Sequence, residues 1–370
     1  MVTIIHTADL QLGKAFGAFD DEARPRLYDA RFDVLDRIAE VAKAKHAALI
    51  VVAGDVFDLQ GLSDHTLHRA FERMRAFEGP WVLLPGNHDA ALADSVWTRA
   101  QRIGAVPAHV HLALRPEPLL FDDARIALLP APLTQRMTHH DVTAWFDGAS
   151  TPEGYFRVGL AHGSVQGILH EGIDSPNPIA QDRAARARLD YLALGDWHGQ
   201  RAIDPRTYYA GTPEPDRFRH ESWGRVLAVE LDRPGELPRV ESVEVSRFRW
   251  RTIEAELAVE SDLDAFVETL EAITPRDVLE IELRGSVDLA SRSRLLSALE
   301  RARGVAAGLR VELQGLRTRP SAEDLERLAA DGYVGRALAA LRDGTSGATP
   351  EIAEDALILL ADVLASTRPA

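Results

Sequence analysis

Five short apolar runs in the first 200 residues end in the same way, and that repetition constrains the chain more than any other feature. Each run has the β-branched and aliphatic content of a buried strand, and each ends at a Gly or Ala next to an Asp, Asn or His. They are Ile4-Ile5-His6-Thr7-Ala8-Asp9, Leu49-Ile50-Val51-Val52-Ala53-Gly54-Asp55 and Trp81-Val82-Leu83-Leu84-Pro85-Gly86-Asn87-His88-Asp89, then Val158-Gly159-Leu160-Ala161-His162 and Leu192-Ala193-Leu194-Gly195-Asp196-Trp197-His198. Open α/β sheets bind ligands beyond the carboxyl ends of their strands, so the order places these polar side chains at one edge. Any one of these segments reads equally well as an ordinary turn. Together, Asp9, Gln11, Asp55, Asn87, His162, Asp196 and His198 form a set of oxygen and imidazole donors suited to divalent first-row ions. Asp9 and Gln11 are separated by one residue, a spacing that points both to one side of an extended segment.

The runs alternate with helical patterns. Leu27, Phe32, Leu35, Ile38 and Ala42 recur at helical spacing over residues 24–45, and Ser63 caps a second helix carrying Leu67, Phe71, Met74 and Phe77. A third helix is expected over 91–103, strands over 109–114 and 125–130, and irregular chain over 133–153 and 164–188. Strands at 225–231 and 239–250 would close the sheet. This order predicts an α/β fold, two packed sheets with helices outside, over residues 1–250. Residues 251–318 read as a compact α+β unit, a candidate substrate-selecting cap. Residues 319–370 form an acidic helical tail, with Leu325 and Leu328 and then Ala356, Leu359, Leu360 and Val363 as apolar stripes.

At 370 residues the chain exceeds what a single core usually supports. It has no cysteine, which removes thiolate ligands and nucleophiles. No apolar run reaches the length of a membrane span, and the first residues enter a strand with no leader pattern, so a cytoplasmic protein without a membrane partner is expected. The formal charge of −15 argues against wrapping nucleic acid over the whole surface. It leaves room for a local basic path through Arg183, Arg186 and Arg188, continued by Arg217, Arg219 and Arg225.

In this order Asp9-x-Gln11, Gly54-Asp55-Val56-Phe57-Asp58, Gly86-Asn87-His88-Asp89, Ala161-His162-Gly163 and Gly195-Asp196-Trp197-His198 resemble the five motifs of the calcineurin-like metallophosphoesterases. His6 to Gly13 and Tyr209-Ala210-Gly211-Thr212-Pro213-Glu214 are further similar to the SbcD-type DNA-repair nucleases. The resemblance implies an α/β/β/α metallophosphoesterase sandwich with a small cap and a helical tail. It implies two divalent ions, manganese or magnesium, one held by Asp9, Gln11, Asp55 and His198 and the other by Asp55, Asn87, His162 and Asp196, with His88 as the catalytic histidine. The implied reaction is hydrolysis of DNA phosphodiesters by metal-activated hydroxide. The implied partners are DNA, an SbcC-type SMC-like coiled-coil ATPase docked on the tail, and a second copy joined through the helices at 63–77 and 91–103. Gln11 stands where the family usually has His, and Asp196 where the last motif usually begins Gly-His. Fewer imidazoles and more oxygens favour harder ions, and the exchange predicts one tight and one weak site. A small-molecule phosphodiesterase or phosphatase, and a weakened DNA-end-binding scaffold, are the alternative readings.

Overall fold

Alternate residues of the first strands point into different cores, and this parity builds the layers. The computed structural model describes residues 1–167, 176–218, 224–319, 321, 333–347, 349, 352–353 and 355–360. Arg219, Leu325, Leu328 and Val363, singled out above, lie outside the described residues.

The chain begins with β1 (Val2–Thr7), α1 (Ala23–Ala44), β2 (Leu49–Val52), α2 (Asp64–Met74), β3 (Trp81–Leu83), α3 (Val96–Arg102) and β4 (Val110–Leu112). It continues with β5 (Leu119–Phe121), β6 (Ile126–Ala131), β7 (Phe156–His162), the short β8 (Ser164–Val165) and β9 (Pro178–Ile179), and α4 (Arg183–Arg186). Then come β10 (Tyr191–Gly195), β11 (Arg201–Asp204), β12 (Thr207–Tyr209), β13 (Arg225–Leu231) and β14 (Arg239–Glu244). The first sheet runs β14-β13-β1-β2-β3-β4 and the second β11-β12-β10-β7-β6-β5. Both are mixed: β1 to β4 pair in parallel, while β13 lies antiparallel to β1 and β5 antiparallel to β6.

Ile5, Ile50, Val52, Trp81 and Leu83 pack with Phe32, Leu35, Phe71 and Trp97 from the helices. Their neighbours Ile4, Leu49, Val51, Val82 and Leu84 face Ile126, Leu128, Val158, Leu160 and Tyr191 in a core between the sheets. The far side of the second sheet is covered by Phe146, Ala184 and Leu189 against Leu129, Leu192 and Leu194. The result is an α/β sandwich of two packed sheets.

The chain forms two compact units, Met1–Gly17 with Arg24–Trp250, and Ala18–Ala23 with Arg251–Ala370. The second unit contains β15 (Arg249–Leu257), α5 (Glu260–Glu271), β16 (Asp277–Val287), α6 (Leu289–Val305), β17 (Gly308–Thr318) and α7 (Tyr333–Arg342), with the sheet order β15-β16-β17. Leu263, Phe266 and Leu270 of α5 and Leu295 and Leu299 of α6 pack with Leu279, Ile281 and Leu309 as its core. Residues 18–23 belong here through the buried Phe19 and an Asp20 to Arg303 ion pair of 3.3 Å.

Several boundaries differ from expectation for identifiable reasons. The third helix begins at Val96 and not near Ala91, because Ser95 and Thr98 form a reciprocal capping box. The segment expected to be irregular before Gly154 contains a single 3-10 turn, Ala144–Gly148, pinned by the buried Phe146. Strands β5 and β11 show no apolar alternation: β5 is three apolar residues long, and β11 buries neither face fully. Residues 239–250 do not close the sheet as one strand: β14 ends at Glu244, and Arg249 already starts a strand of the α+β sheet.

Trp97 ties α3 to this framework, fully buried, with its ring 5.3 Å from Phe57 and its indole N–H donated to the Asp89 carbonyl. Trp97→Ala is expected to cost about 3–5 kcal/mol in denaturant unfolding; a loss below about 1 kcal/mol would show that α3 does not brace the Asn87-His88 loop.

Candidate metal centre

The parallel register aligns Thr7, Val52 and Leu83 at one level, so the loops after β1, β2 and β3 leave the sheet side by side. In the second sheet Gly195 pairs with His162, which brings the ends of β7 and β10 to a common level. The first two loops then run along each other: Asp9 N–H donates to Gly54 O at 3.0 Å, Gln11 N–H to Asp55 O at 2.9 Å and Leu12 N–H to Val56 O at 2.9 Å. To make these bonds the backbone abandons extended geometry. Asp9 (φ 52°), Gln11 (φ 43°) and Asp55 (φ 51°) are left-handed, as is Asp196 (φ 100°). The expectation that Asp9 and Gln11 share an extended segment is thereby corrected. Such conformations are costly for residues other than glycine, and they cluster at functional sites.

Ligand atoms of Asp9, Asp55 and His162, all buried, lie within 4.8 Å of one another. His162 donates from Nδ1 to the Ala53 carbonyl at 2.8 Å, which leaves Nε2 as the inward-facing nitrogen. That nitrogen is 2.8 Å from Asn87 Oδ1, 3.6 Å from Asp55 Oδ1 and 3.7 Å from Asp196 Oδ1. These are acceptors converging on acceptors, an arrangement that requires a cation or a proton between them. The close approach depends on glycine: a Cβ on Gly86 would lie 2.1 Å from Asp55 Oδ1, and one on Gly54 2.1 Å from the His162 ring. Asp55, Asn87, His162 and Asp196, with Asp9 beside them, therefore fit a divalent ion in donor type and orientation.

The charges fit as well. Burial raises the Asp9 carboxyl to about 6, even with His198 and His162 opposing the shift. Burial also raises Asp196. Burial works against the charge on His162, but Asp55, Asp9 and Asp196 outweigh it and lift the imidazole to about 9. Without a metal, a proton on His162 takes the position a divalent ion would neutralise more completely.

His88 stands apart from the convergent set. Its N–H donates to Asp55 Oδ1 at 2.9 Å and its Nδ1 to the Asp58 carbonyl at 2.9 Å, so Nε2 points away from that bond, 4.0 Å from Asp55 Oδ2. The ring is 40% exposed, accessible to a ligand at the strand ends. Asp89 is fully buried and holds the loop by accepting the Gly86 N–H at 2.7 Å and the Phe57 N–H at 3.0 Å. Burial, together with the adjacent Asp55 charge, raises its carboxyl to about 8.

Gln11 and His198 lie together on the other flank, with their amide and ring nitrogens 3.5 Å apart. The group that positions them has no signature in the sequence. Asp216, buried, lies 2.6 Å from Lys14 Nζ, 3.4 Å from Arg31 Nη2 and 3.5 Å from His198 Nδ1. Burial opposes its charge, yet His198, Arg31 and Lys14 hold its carboxyl well below the usual range. Nothing local marks this role, because Lys14 and Asp216 are 202 residues apart. The proposed basic path dissolves at its first member: Arg183 is buried and clamped at 2.6 Å by both Asp141 and Asp147, while Arg186 reaches Asp147 at 2.7 Å. They fasten the chain before β7 to α4. Arg225 extends instead toward Ser242, 3.3 Å away. Arg217 does reach the site.

A sequence model of the calcineurin-like phosphoesterases matches residues 2–201, more than half of the chain, and the chain belongs to that family. It is 28% identical over 226 residues to the uncharacterized metallophosphoesterase YhaO of Bacillus subtilis, covering 58% of this chain and 53% of that protein. It is 26% identical over 267 residues to the SbcD component of the SbcCD nuclease of the same organism, covering 63% of this chain and 67% of that component. It is also 26% identical over 280 residues to the DNA double-strand break repair protein Mre11 of Aeropyrum pernix, covering 70% of this chain and 64% of that protein. The chain thus spans about half the length of YhaO and about two thirds of the other two.

The raised imidazole gives a pH signature to metal-free protein. A histidine with folded pKa about 9 against an ordinary 6.5 contributes stability that is complete below about 6.5 and lost as pH rises through about 9. Metal-free protein should therefore melt at progressively lower temperature across that window, and excess manganese should flatten the slope. A melting temperature independent of pH between those limits, with or without manganese, would remove His162 from the centre.

Proposed function

We propose that this calcineurin-like phosphoesterase is a metal-dependent DNA nuclease that hydrolyses phosphodiester bonds. The observation that carries the reading is the orientation of His88: its Nε2 stands 4.0 Å from Asp55 Oδ2, on the rim of the convergent acceptors and outside them. A divalent ion held by Asp55, Asn87, His162 and Asp196 would supply Lewis acidity toward a phosphoryl oxygen and acidify a water. The set is dominated by oxygen donors, which favours manganese or magnesium. The protein's own groups do the rest. The Asp58 carbonyl accepts the His88 Nδ1–H and so turns Nε2 toward the phosphoester; with the ring protonated at both nitrogens, the Nε2–H would stabilise charge and pass its proton to the departing oxygen. Asp89 keeps the Gly86–His88 backbone in register with Asp55. DNA as the substrate is supported by similarity to the SbcD component of the SbcCD nuclease and to Mre11, and it agrees with a cytoplasmic location. Among the described residues no helix is long and apolar enough to cross a membrane.

By the same similarity, the chain works as a homodimer joined through α2 and α3, with a coiled-coil ATPase docked on the tail and the α+β unit selecting substrate. Light scattering should then give twice the 40.6 kDa chain mass, and deletion of residues 321–370 should abolish co-purification with the ATPase. A single-chain mass would remove the dimer, and persistent co-purification would move the contact elsewhere.

With manganese, wild-type protein should cleave single- or double-stranded DNA. His88→Ala should lower turnover by at least about 100-fold while metal content stays unchanged. Cleavage of a nitrophenyl phosphodiester without cleavage of DNA would favour a small-molecule substrate. DNA binding without cleavage would favour a scaffold, and loss of metal in His88→Ala would make His88 a ligand.

A further inference from the structure

The two flanks of the centre are occupied differently. Around His162 Nε2 the neighbouring atoms are the oxygens of Asn87, Asp55 and Asp196. Around His198 they are hydrogen-bond donors. A carboxylate only accepts, so Asp216 Oδ1, 3.5 Å from His198 Nδ1, places the ring proton on Nδ1 and leaves Nε2 as the ligating lone pair. That nitrogen is met by Arg217 Nη2 at 3.1 Å and by Gln11 Nε2 at 3.5 Å. The other donor atom on this flank, Gln11 Oε1, accepts from Lys14 Nζ at 3.1 Å. The two ligand atoms that a second ion would take beside the carboxylates of Asp9 and Asp55 are thus engaged by cations of the protein.

We propose that the Arg217 guanidinium, supported by Lys14, takes the place of a second divalent ion, so that the centre holds one tightly bound ion with a protein-borne positive charge beside it. The charges agree with this. Asp9, Asp55, Asp196 and Asp216 bring four carboxylates together, and Lys14, Arg31 and Arg217 already supply three positive charges on the Asp216 side. One divalent ion therefore more than completes the neutralisation, and a second would leave a large positive excess. Asp216 also anchors Arg217 Nε at 3.3 Å. The neutral amide of Gln11 can orient its Nε2 toward His198 and its Oε1 toward Lys14, whereas an imidazole at that position would present a single ligating nitrogen. A guanidinium presents a planar fork of N–H donors to phosphate oxygens, so Arg217 can bind the phosphodiester from the His198 flank. That last role rests on the phosphodiesterase reading; the ion count does not.

The test is manganese stoichiometry in the absence of substrate, by equilibrium dialysis with elemental analysis and by electron paramagnetic resonance for spin-coupled pairs. Wild type should bind one manganese per chain, with no second step below millimolar and no coupled signal. Arg217→Ala should admit a second ion at least about tenfold more tightly than wild type does, and Arg217→Lys, which keeps the charge, should remain at one. Folding of each variant is checked by circular dichroism, and the 44% exposure of the Arg217 side chain makes misfolding a small risk. Two ions of comparable affinity in wild type would overturn the inference and leave the phosphodiesterase reading intact. One ion in both wild type and Arg217→Ala would likewise overturn it, by removing Arg217 from the second position. Absence of DNA cleavage with the predicted ion counts would count against the substrate and not against the guanidinium.

Discussion

Lone pairs that converge without hydrogens between them are the constraint on which the rest of this structure depends. Asp9, Asp55, Asn87, His162 and Asp196 come from five separate strand ends, and apart from the Asp196 N–H donated to the Asp9 carboxylate at 3.3 Å their side-chain acceptors face one another, which is favourable only with added positive charge. Removing carboxylates from water costs several kcal/mol each unless they are paired, so a fold that buries Asp9 and Asp55 side by side, with the half-buried Asp196 beside them, is organised for cations. The sandwich serves this end: two sheets with parallel central strands direct five loops to one edge, and the core between the sheets holds those ends at a common level.

Holding the loops requires backbone geometry that ordinary turns do not supply. Left-handed residues at Asp9, Gln11, Asp55 and Asp196 cost about 1–3 kcal/mol apiece where the surroundings do not favour them. The surroundings here are specific: the loop after β1 hydrogen-bonds along the loop after β2, and the buried Asp89 fastens the loop after β3 to Phe57. Trp97 closes the circuit by donating to the Asp89 carbonyl. Stability from the helical layer is thereby transmitted to a strained polar edge, and the side chains meet a ligand preorganised.

Much of this was legible in the sequence because it is written locally. The strand ends announce themselves by apolar runs stopped at small residues, and the helix starts by Ser63 and its neighbours. The two-sheet layering follows from strand parity. What could not be read was distant or unpatterned. Strands β5 and β11 lack alternation because β5 is three consecutive apolar residues and β11 has no fully buried face. Arg183 looks like a surface cation until Asp141 and Asp147 arrive from a segment some forty residues earlier. Asp216 gives no sign of its importance in the sequence, since its partners come from the loop after β1, from α1 and from the loop after β10.

That last group shows why a buried ionic cluster is worth its cost. Arg31 and Asp216 are both nearly inaccessible to water, and a buried ion pair seldom stabilises a fold more than apolar residues of the same size. Its value lies in direction. Arg31 also donates to the Leu10 carbonyl at 2.7 Å, so the guanidinium fixes the loop between Asp9 and Gln11 while it fixes the carboxylate that orients His198. Lys14 links the same carboxylate to Gln11. One buried negative charge thus sets the tautomer of an imidazole, the rotamer of an amide and the position of Arg217 at once. An apolar replacement would pack as well but could specify none of the three. The difference between the two flanks of the centre, oxygens around His162 and donors around His198, therefore originates in Asp216, a residue that itself belongs to neither set of proposed ligands.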